Sequence, residues 1–231
     1  ILADLLSIEK RLTKLAKELR GKSSPLGIRE KEVLEKAQKH LLEGTPLREI
    51  DFPEEEEKWL RAFSFLSLKP IVQAINLDET KLDKIDHPEK FLPRRGPKQG
   101  GLAFCGKIEY EITQLAPAER GQFLREYGLQ EFSIQKFLRL SFQVLNLIVF
   151  YTVGKKEVKA WTIPQNTPAP RAAGVIHTDM EKGFIRAEVI PMDILLQVGS
   201  FSKAREKGLI HLHGKDYLIQ DGDVVYFRFA N

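Results

Sequence analysis

The chain has 231 residues, room for one large domain or two small ones of about 100–150 residues each. Its 42% hydrophobic and 29% charged content is that of a chain able to build a core; no apolar run reaches the roughly 18 residues of a membrane span, and no signal peptide is visible, so no membrane partner is expected. A net charge of +4 is compatible with an RNA-rich partner without naming one, and the lone cysteine, Cys105, excludes an internal disulfide and fits a reducing, cytoplasmic setting.

Leu2, Leu5, Leu12, Leu15 and Leu19 recur at heptad-like spacing with Lys and Glu between them, which predicts an amphipathic helix with a narrow seam. Residues 21–27, carrying Ser23, Ser24 and Pro25, break it. Val33, Leu34, Ala37 and Leu41 then form the seam of a second helix that Gly44 ends. Helices joined by so short a loop run antiparallel. They read either as a hairpin of no special kind or as a projecting coiled-coil arm, and charge on both flanks favours the arm.

A third helix is predicted from about Pro53, with Glu54 to Glu57 at its positive end and Trp59, Phe63 and Leu66 on its inner face. Pro70-Ile71-Val72-Gln73-Ala74-Ile75 reads as a short buried strand of a parallel sheet, followed at once by the loop Asn76-Leu77-Asp78-Glu79. Residues 86–101 hold Pro88, Pro93 and Pro97 and exclude a helix. Leu102-Ala103-Phe104-Cys105 is a second short strand. A helix over 117–127 is closed by Gly128, and Ser133 is expected to cap another with Ile134, Phe137, Leu138, Ser141 and Leu145 on one face.

From about Ile148 the period becomes strand-like. Residues 148–153, a Gly154-Lys155 turn and residues 158–163 predict a hairpin, 168–180 a helix, 184–190 a strand, and 209–212, 217–219 and 224–229 three more. The fold class is therefore α/β plus α+β: a helical arm over 1–50, an α/β unit over 51–147 and an α+β unit over 148–231, with no internal repeat.

Two loops carry the chemistry. Asn76-Leu77-Asp78-Glu79 stands after a buried strand, where an Asn-Lys-x-Asp loop reads guanine in P-loop GTPases, and its bland alternative is a helix start capped by Asn76 or Asp78. Cys105-Gly106-Lys107 follows the second strand, and Ile108-Glu109-Tyr110-Glu111-Ile112 follows it in turn. The Cys105 thiol itself reads as a small buried hydrophobe. Gly21-Lys22-Ser23 ends like a phosphate loop, but Ala16 stands where that loop needs glycine, and no strand precedes it. Near the C-terminus, Gly174-Val175-Ile176-His177-Thr178-Asp179-Met180-Glu181-Lys182-Gly183-Phe184 is followed by Gly214-Lys215-Asp216-Tyr217 and Asp221-Gly222-Asp223.

These strings, with Val158-Lys159-Ala160-Trp161-Thr162, resemble the YchF / Obg-like ATPase family, a branch of the P-loop GTPases, over nearly the whole chain. The resemblance departs over 80–101, which is shorter here and broken by Pro and Gly. It implies a helical coiled-coil arm, a partial P-loop G domain and a β-grasp-like TGS domain. It implies purine-base binding by Asn76, Leu77, Glu79, Cys105 and Gly106, with ATP preferred over GTP, because a displaced carboxylate loses guanine's paired donors at a cost of about 1–3 kcal/mol. Mg²⁺ and triphosphate would belong to the intact family member; no cofactor and no catalytic residue is assigned to this chain by itself. Beginning at Ile1 rather than Met, the chain reads as the rear part of a longer polypeptide whose phosphate-binding G-domain half lies upstream.

The implied partner is a ribosomal subunit, through rRNA or a ribosomal protein. Lys155, Lys156, Lys159, Arg171, Lys182 and Arg186 are candidate phosphate contacts, and a solvated charged face is the alternative. His177 could stack on a base, or cap a helix beside Asp179. His211 and His213 alternate on a strand without further metal ligands nearby, and Asp221-Gly222-Asp223 reads as a tight turn. A reading of another class stays open: a stand-alone, non-catalytic TGS module that binds RNA or protein.

Overall fold

A computed structural model gives the architecture and describes residues 1–20, 24–92, 96, 98–154 and 157–230. The Gly21-Lys22-Ser23 string, Pro93, Pro97, Lys155 and Lys156 lie outside the described residues. The chain divides into two units, Ile1–Val144 and Leu145–Asn231.

The first unit opens with α1 (Leu2–Glu18) and α2 (Pro25–Leu42). The Ser24 hydroxyl accepts the Gly27 N–H at 3.3 Å and Pro25 takes the first helical position, which starts α2 where the sequence predicts. Arg11 meets Glu30 and Leu19 approaches Gly27, the pairing of antiparallel neighbours. All four seam residues of α2 are buried, but α1 differs from expectation: Ile8 and Leu15 are its fully buried positions and Leu2 is 78% exposed. These side chains share a core with Leu47, Phe52, Leu60, Phe65 and Leu68, so the helices are rooted in the segment that follows them. Asp4 fastens that root: its carboxylate accepts the Leu66 and Ser67 backbone N–H groups at 2.9 and 2.7 Å. The third helix, α3 (Glu54–Arg61), begins directly after Pro53; Leu60 is buried on it, Trp59 and, past its end, Phe63 pack against the same core as predicted, and Leu66 is exposed.

β1 (Ile71–Asn76) and β2 (Gln99–Phe104) pair in parallel, Ile71 opposite Gln99 and Asn76 opposite Phe104. Three helices follow: α4 (Gly106–Thr113), α5 (Pro117–Glu126) and α6 (Ser133–Val144). Beneath the strand ends, Leu77, Ile85, Ala103, Cys105, Ile108 and Ile112 share a core. Ser133 does not act as the predicted free cap. It is the first residue of α6, and its N–H and hydroxyl donate to the Glu109 carboxylate of α4, at 3.1 and 2.7 Å for the nearer oxygen of each. This places negative charge at the positive end of α6. Leu140 and Val144 of α6 approach Gly100 of β2, whereas Ile134 and Leu138 are exposed. Residues 86–101 contain one 3₁₀ turn at Pro88–Lys90, and β2 begins at Gln99, ahead of the predicted residue 102.

The second unit comprises β3 (Leu147–Val153), β4 (Val158–Pro164), α7 (Ala169–Ile176), α8 (Thr178–Lys182), β5 (Phe184–Pro191), α9 (Met192–Val198), α10 (Phe201–Glu206), β6 (His211–His213) and β7 (Asp223–Phe229). Its sheet runs β4-β3-β7-β5-β6, with β7 parallel to β3 and antiparallel to β5. One face packs Phe150, Ile163, Val189, Val225 and Phe227 against Ala169, Ala172 and Ala173 of α7. The other face is partly covered by α9 and α10 over Ile190 and Val224.

The predicted helix over 168–180 is two helices, because His177 is extended and its ring nitrogen accepts the Asp179 N–H at 3.2 Å, restarting the chain as α8. The predicted strand over 217–219 is only an isolated bridge from Leu218 to Pro168. There the Tyr217 hydroxyl donates to buried Asp223 at 2.8 Å; burial, with that carboxylate beside it, pushes the phenol well above its ordinary value.

Candidate functional site

In a parallel sheet, side chains that meet ligands collect at the carboxyl ends of the strands. β1 ends at Asn76 and β2 at Phe104, so the register delivers both loops to one edge. The Leu77 N–H donates to the Phe104 carbonyl at 2.7 Å, extending the pairing by one step. The Asn76 side-chain oxygen then accepts the Gly106 N–H at 3.0 Å. Gly106 suits this approach: a Cβ there would stand 3.4 Å from both the Asn76 oxygen and the Phe104 ring. Across the same gap Lys107 meets the Glu79 carboxylate at 2.8 Å.

Loops 76–79 and 105–107 therefore stand side by side, held by a hydrogen bond and an ion pair. Neighbouring Glu79 raises the Lys107 ammonium above its ordinary value, so the lysine is charged. Asp78 accepts both the Thr80 N–H and its hydroxyl, and these bonds hold the carboxyl below its ordinary value. It caps a 3₁₀ segment, Glu79–Lys84, so the bland helix-start reading and the loop reading are both visible at this one place.

The sequence-predicted residues separate by depth. Asn76, Glu79 and Lys107 are exposed and Gly106 is half-buried, but the Leu77 and Cys105 side chains are buried in the core beneath them. Leu77 and Cys105 thus face the loop edge with backbone, not side chain. Cys105 precedes α4 without a side-chain cap, which leaves first-turn N–H groups of that helix for other acceptors. Asn76 commits its acceptor oxygen to Gly106, so its amide presents N–H donors outward. Among the described residues no group of three or more His, Cys, Asp or Glu could hold a metal ion.

The described basic candidates lie on separate elements. Lys159 lies over the Trp161 ring at 4.1 Å, Arg171 is on α7, Lys182 on α8, and His177 caps α8 beside the Asp179 carboxylate. Arg186 on β5 alternates with Ala187, which packs towards α7, and so faces the opposite side of the sheet. Sequence reasoning missed Arg205, Arg228 and Glu188, which meet on that opposite side. The sequence motif at 105–107 carries no role for Lys107; charge complementarity to Glu79 is the signal that could have found it.

Residues 147–230 match a family model described as YchF-GTPase_C, protein of unknown function (DUF933). The chain is 36% identical to the "Ribosome-binding ATPase YchF" of Bacillus subtilis (strain 168), a match covering 99% of this chain and 63% of that protein. It is 38% identical to "Obg-like ATPase 1" of Caenorhabditis elegans, over 87% of this chain and 52% of that protein. The solved structure of the Schizosaccharomyces pombe YchF GTPase superposes with a TM-score of 0.83 at 26% identity, over 98% of this chain and 62% of that chain. The chain thus spans less than two thirds of the length of these relatives, and no helix among the described residues is long and apolar enough to cross a membrane. With helices and mixed sheets arranged as in the fission-yeast protein, the chain is similar over most of its own length to members of the YchF / Obg-like ATPase family.

Proposed function

We propose that this chain supplies the purine-reading loops and a ribosome-docking portion of a YchF-like nucleotide hydrolase. The single observation that supports it is the meeting of the two loops, in which Asn76 accepts from Gly106 at 3.0 Å and Lys107 pairs with Glu79 at 2.8 Å, at the carboxyl ends of two parallel strands. In this reading Asn76 donates to an acceptor of the base, the backbone of 105–107 borders the ring, and Leu77 supports the floor from below. Glu79 is engaged by Lys107 and so is a poor partner for guanine's paired donors, which favours ATP over GTP. Triphosphate and Mg²⁺ are held by the part of the family that lies beyond the 63% matched here.

The remaining regions fit the same proposal. α1 and α2 form the helical arm of 1–50, 51–147 carries the base-reading part of the G domain, and 148–231 is a TGS unit. Its hairpin, central helix and returning strands support a β-grasp-like fold. Relatives named ribosome-binding support a ribosomal subunit as partner, in the cytoplasm.

Labelled ATP and GTP titrated against the chain, alone and complemented with the unmatched segment of the B. subtilis relative, test the proposal. Tight binding that favours ATP is expected only in the complemented form. Failure of both nucleotides in that form would end the nucleotide reading. A second reading, a non-catalytic docking module, is favoured by the loops' self-satisfied contacts; ribosome co-sedimentation that salt abolishes and nucleotide leaves unchanged would select it.

A further inference from the structure

The face of the five-stranded sheet turned away from α7 is only partly covered by α9 and α10. Beside α10 it forms an open groove of about 730 Å³, lined among others by Ile185, Phe201, Arg205, Tyr226, Arg228 and Phe229. A register irregularity between Phe184 and Arg186 adds Ile185 to the groove wall. Tyr226 is 55% exposed at its floor, and Arg228 follows two residues along the same strand, about 6.7 Å away at ordinary strand rise.

The charges here are unusual for a sheet surface. Arg186 stands directly opposite Arg228 in the antiparallel ladder, and like charges so placed repel. Glu188, 2% exposed, relieves part of this by pairing with both Arg205 and Arg228. Burial raises the Glu188 carboxyl, and the two arginines more than reverse that, so it remains ionised. The result is two guanidinium groups on one buried carboxylate, with Arg186 across the ladder from Arg228, and the side chains of Arg205 and Arg228 are 61% and 51% exposed. Their positions are fixed from beneath while their heads stay open to an anion. Cations alternating with exposed rings suit single-stranded nucleic acid, whose bases stack on aromatics and whose phosphates take guanidinium donors. An acidic protein would answer the charge but leave the rings without partners.

We infer that this groove, with Tyr226 as its stacking surface, Arg205 and Arg228 as phosphate contacts and Arg186 beside them across the ladder, binds single-stranded RNA. This rests on the docking part of the proposed function and names its partner and its site.

Anisotropy of a labelled oligoadenylate of about 12 nucleotides, titrated with the 231-residue chain, tests it. Tyr226→Ala is expected to weaken binding by about 5- to 150-fold, the loss of one base stack, while Tyr226→Phe retains it. Arg186→Gln, which touches no ion pair of the groove, should flatten the salt dependence by about 0.7 in log–log slope. Circular dichroism confirms that each variant is folded. Binding absent in the parent chain, or unmoved by both Tyr226→Ala and Arg186→Gln, overturns the inference. Co-sedimentation with ribosomal subunits is read in parallel. If the parent chain sediments and both variants sediment equally, docking stands but uses protein or another surface, and the groove assignment falls. If the parent chain binds the oligonucleotide with the expected variant losses yet does not sediment, the groove stands and the docking reading falls.

Discussion

Asp4 is the residue whose role is least visible in the chain's pattern and plainest in its contacts. It sits between heptad leucines, yet it is 3% exposed because two backbone N–H groups from residues 66 and 67 need an acceptor. Asp4→Ala leaves both donors buried and should cost about 1–3 kcal/mol in urea unfolding. Burial raises the Asp4 carboxyl, but the hydrogen bonds from Ser67 and Leu66 outweigh it, so its folded value lies below the ordinary 3.8. The sign follows: the stabilisation is complete above 3.8 and drains as pH falls through the lower folded value. An acid titration followed by circular dichroism should therefore show parent and Asp4→Ala converging at the acid end. Lys107 acts differently. Its pair with Glu79 is exposed, so Lys107→Met should leave the melting temperature nearly unchanged while freeing the carboxylate for guanine. A narrower ATP-over-GTP ratio in the complemented form is the expected reading; an unchanged ratio would remove Glu79 from selectivity.

At the scale of elements, legibility tracks length and period. α2 was readable because Val33, Leu34, Ala37 and Leu41 repeat at helical spacing and all are buried. α9 and α10 were not, since helices of 7 and 6 residues complete no repeat that sequence can register. The His177 cap was legible beside Asp179, but the break it makes in the helix over 168–180 was not, because the extended backbone at His177 leaves no mark in the pattern. Much of the candidate site was legible through the two loops, and the burial of the Cys105 thiol with it, but the burial of Leu77 was not, because alternation does not continue into a loop. The Glu188 cluster joins β5, β7 and α10, a meeting no local window contains. Close approach is equally silent in sequence: a Cβ at Gly183 would collide with the Ala230 carbonyl, while the Ala230 N–H donates to Gly183 at 2.8 Å. Gly183→Ala should cost about 1–3 kcal/mol in chemical denaturation, by forcing the chain end off α8.

At the scale of the whole molecule, each unit carries its own core: residues 1–144 around α1–α3 and the two parallel strands, and 145–231 around α7 and the five-stranded sheet. Residues 145–231 expressed alone should retain a cooperative thermal transition; its loss would mean that the second unit depends on the first. The first unit differs in kind. Its parallel sheet has two strands, and Ile134 and Leu138 on α6 stay open. Parallel sheets are ordinarily covered on both faces. Adding the unmatched segment of a relative should therefore raise the stability of 1–144 and leave that of 145–231 unchanged.

The Tyr217–Asp223 bond has a spectroscopic consequence. The sequence holds five tyrosines, and this one resists ionising in alkali because its phenolate would face a buried carboxylate. The proton is held more tightly folded than unfolded, so the stabilisation is intact below 10.0 and fades as base is added beyond it. Ultraviolet absorbance during a slow alkaline ramp should show one chromophore lagging the others, then ionising together with the collapse of the C-terminal sheet.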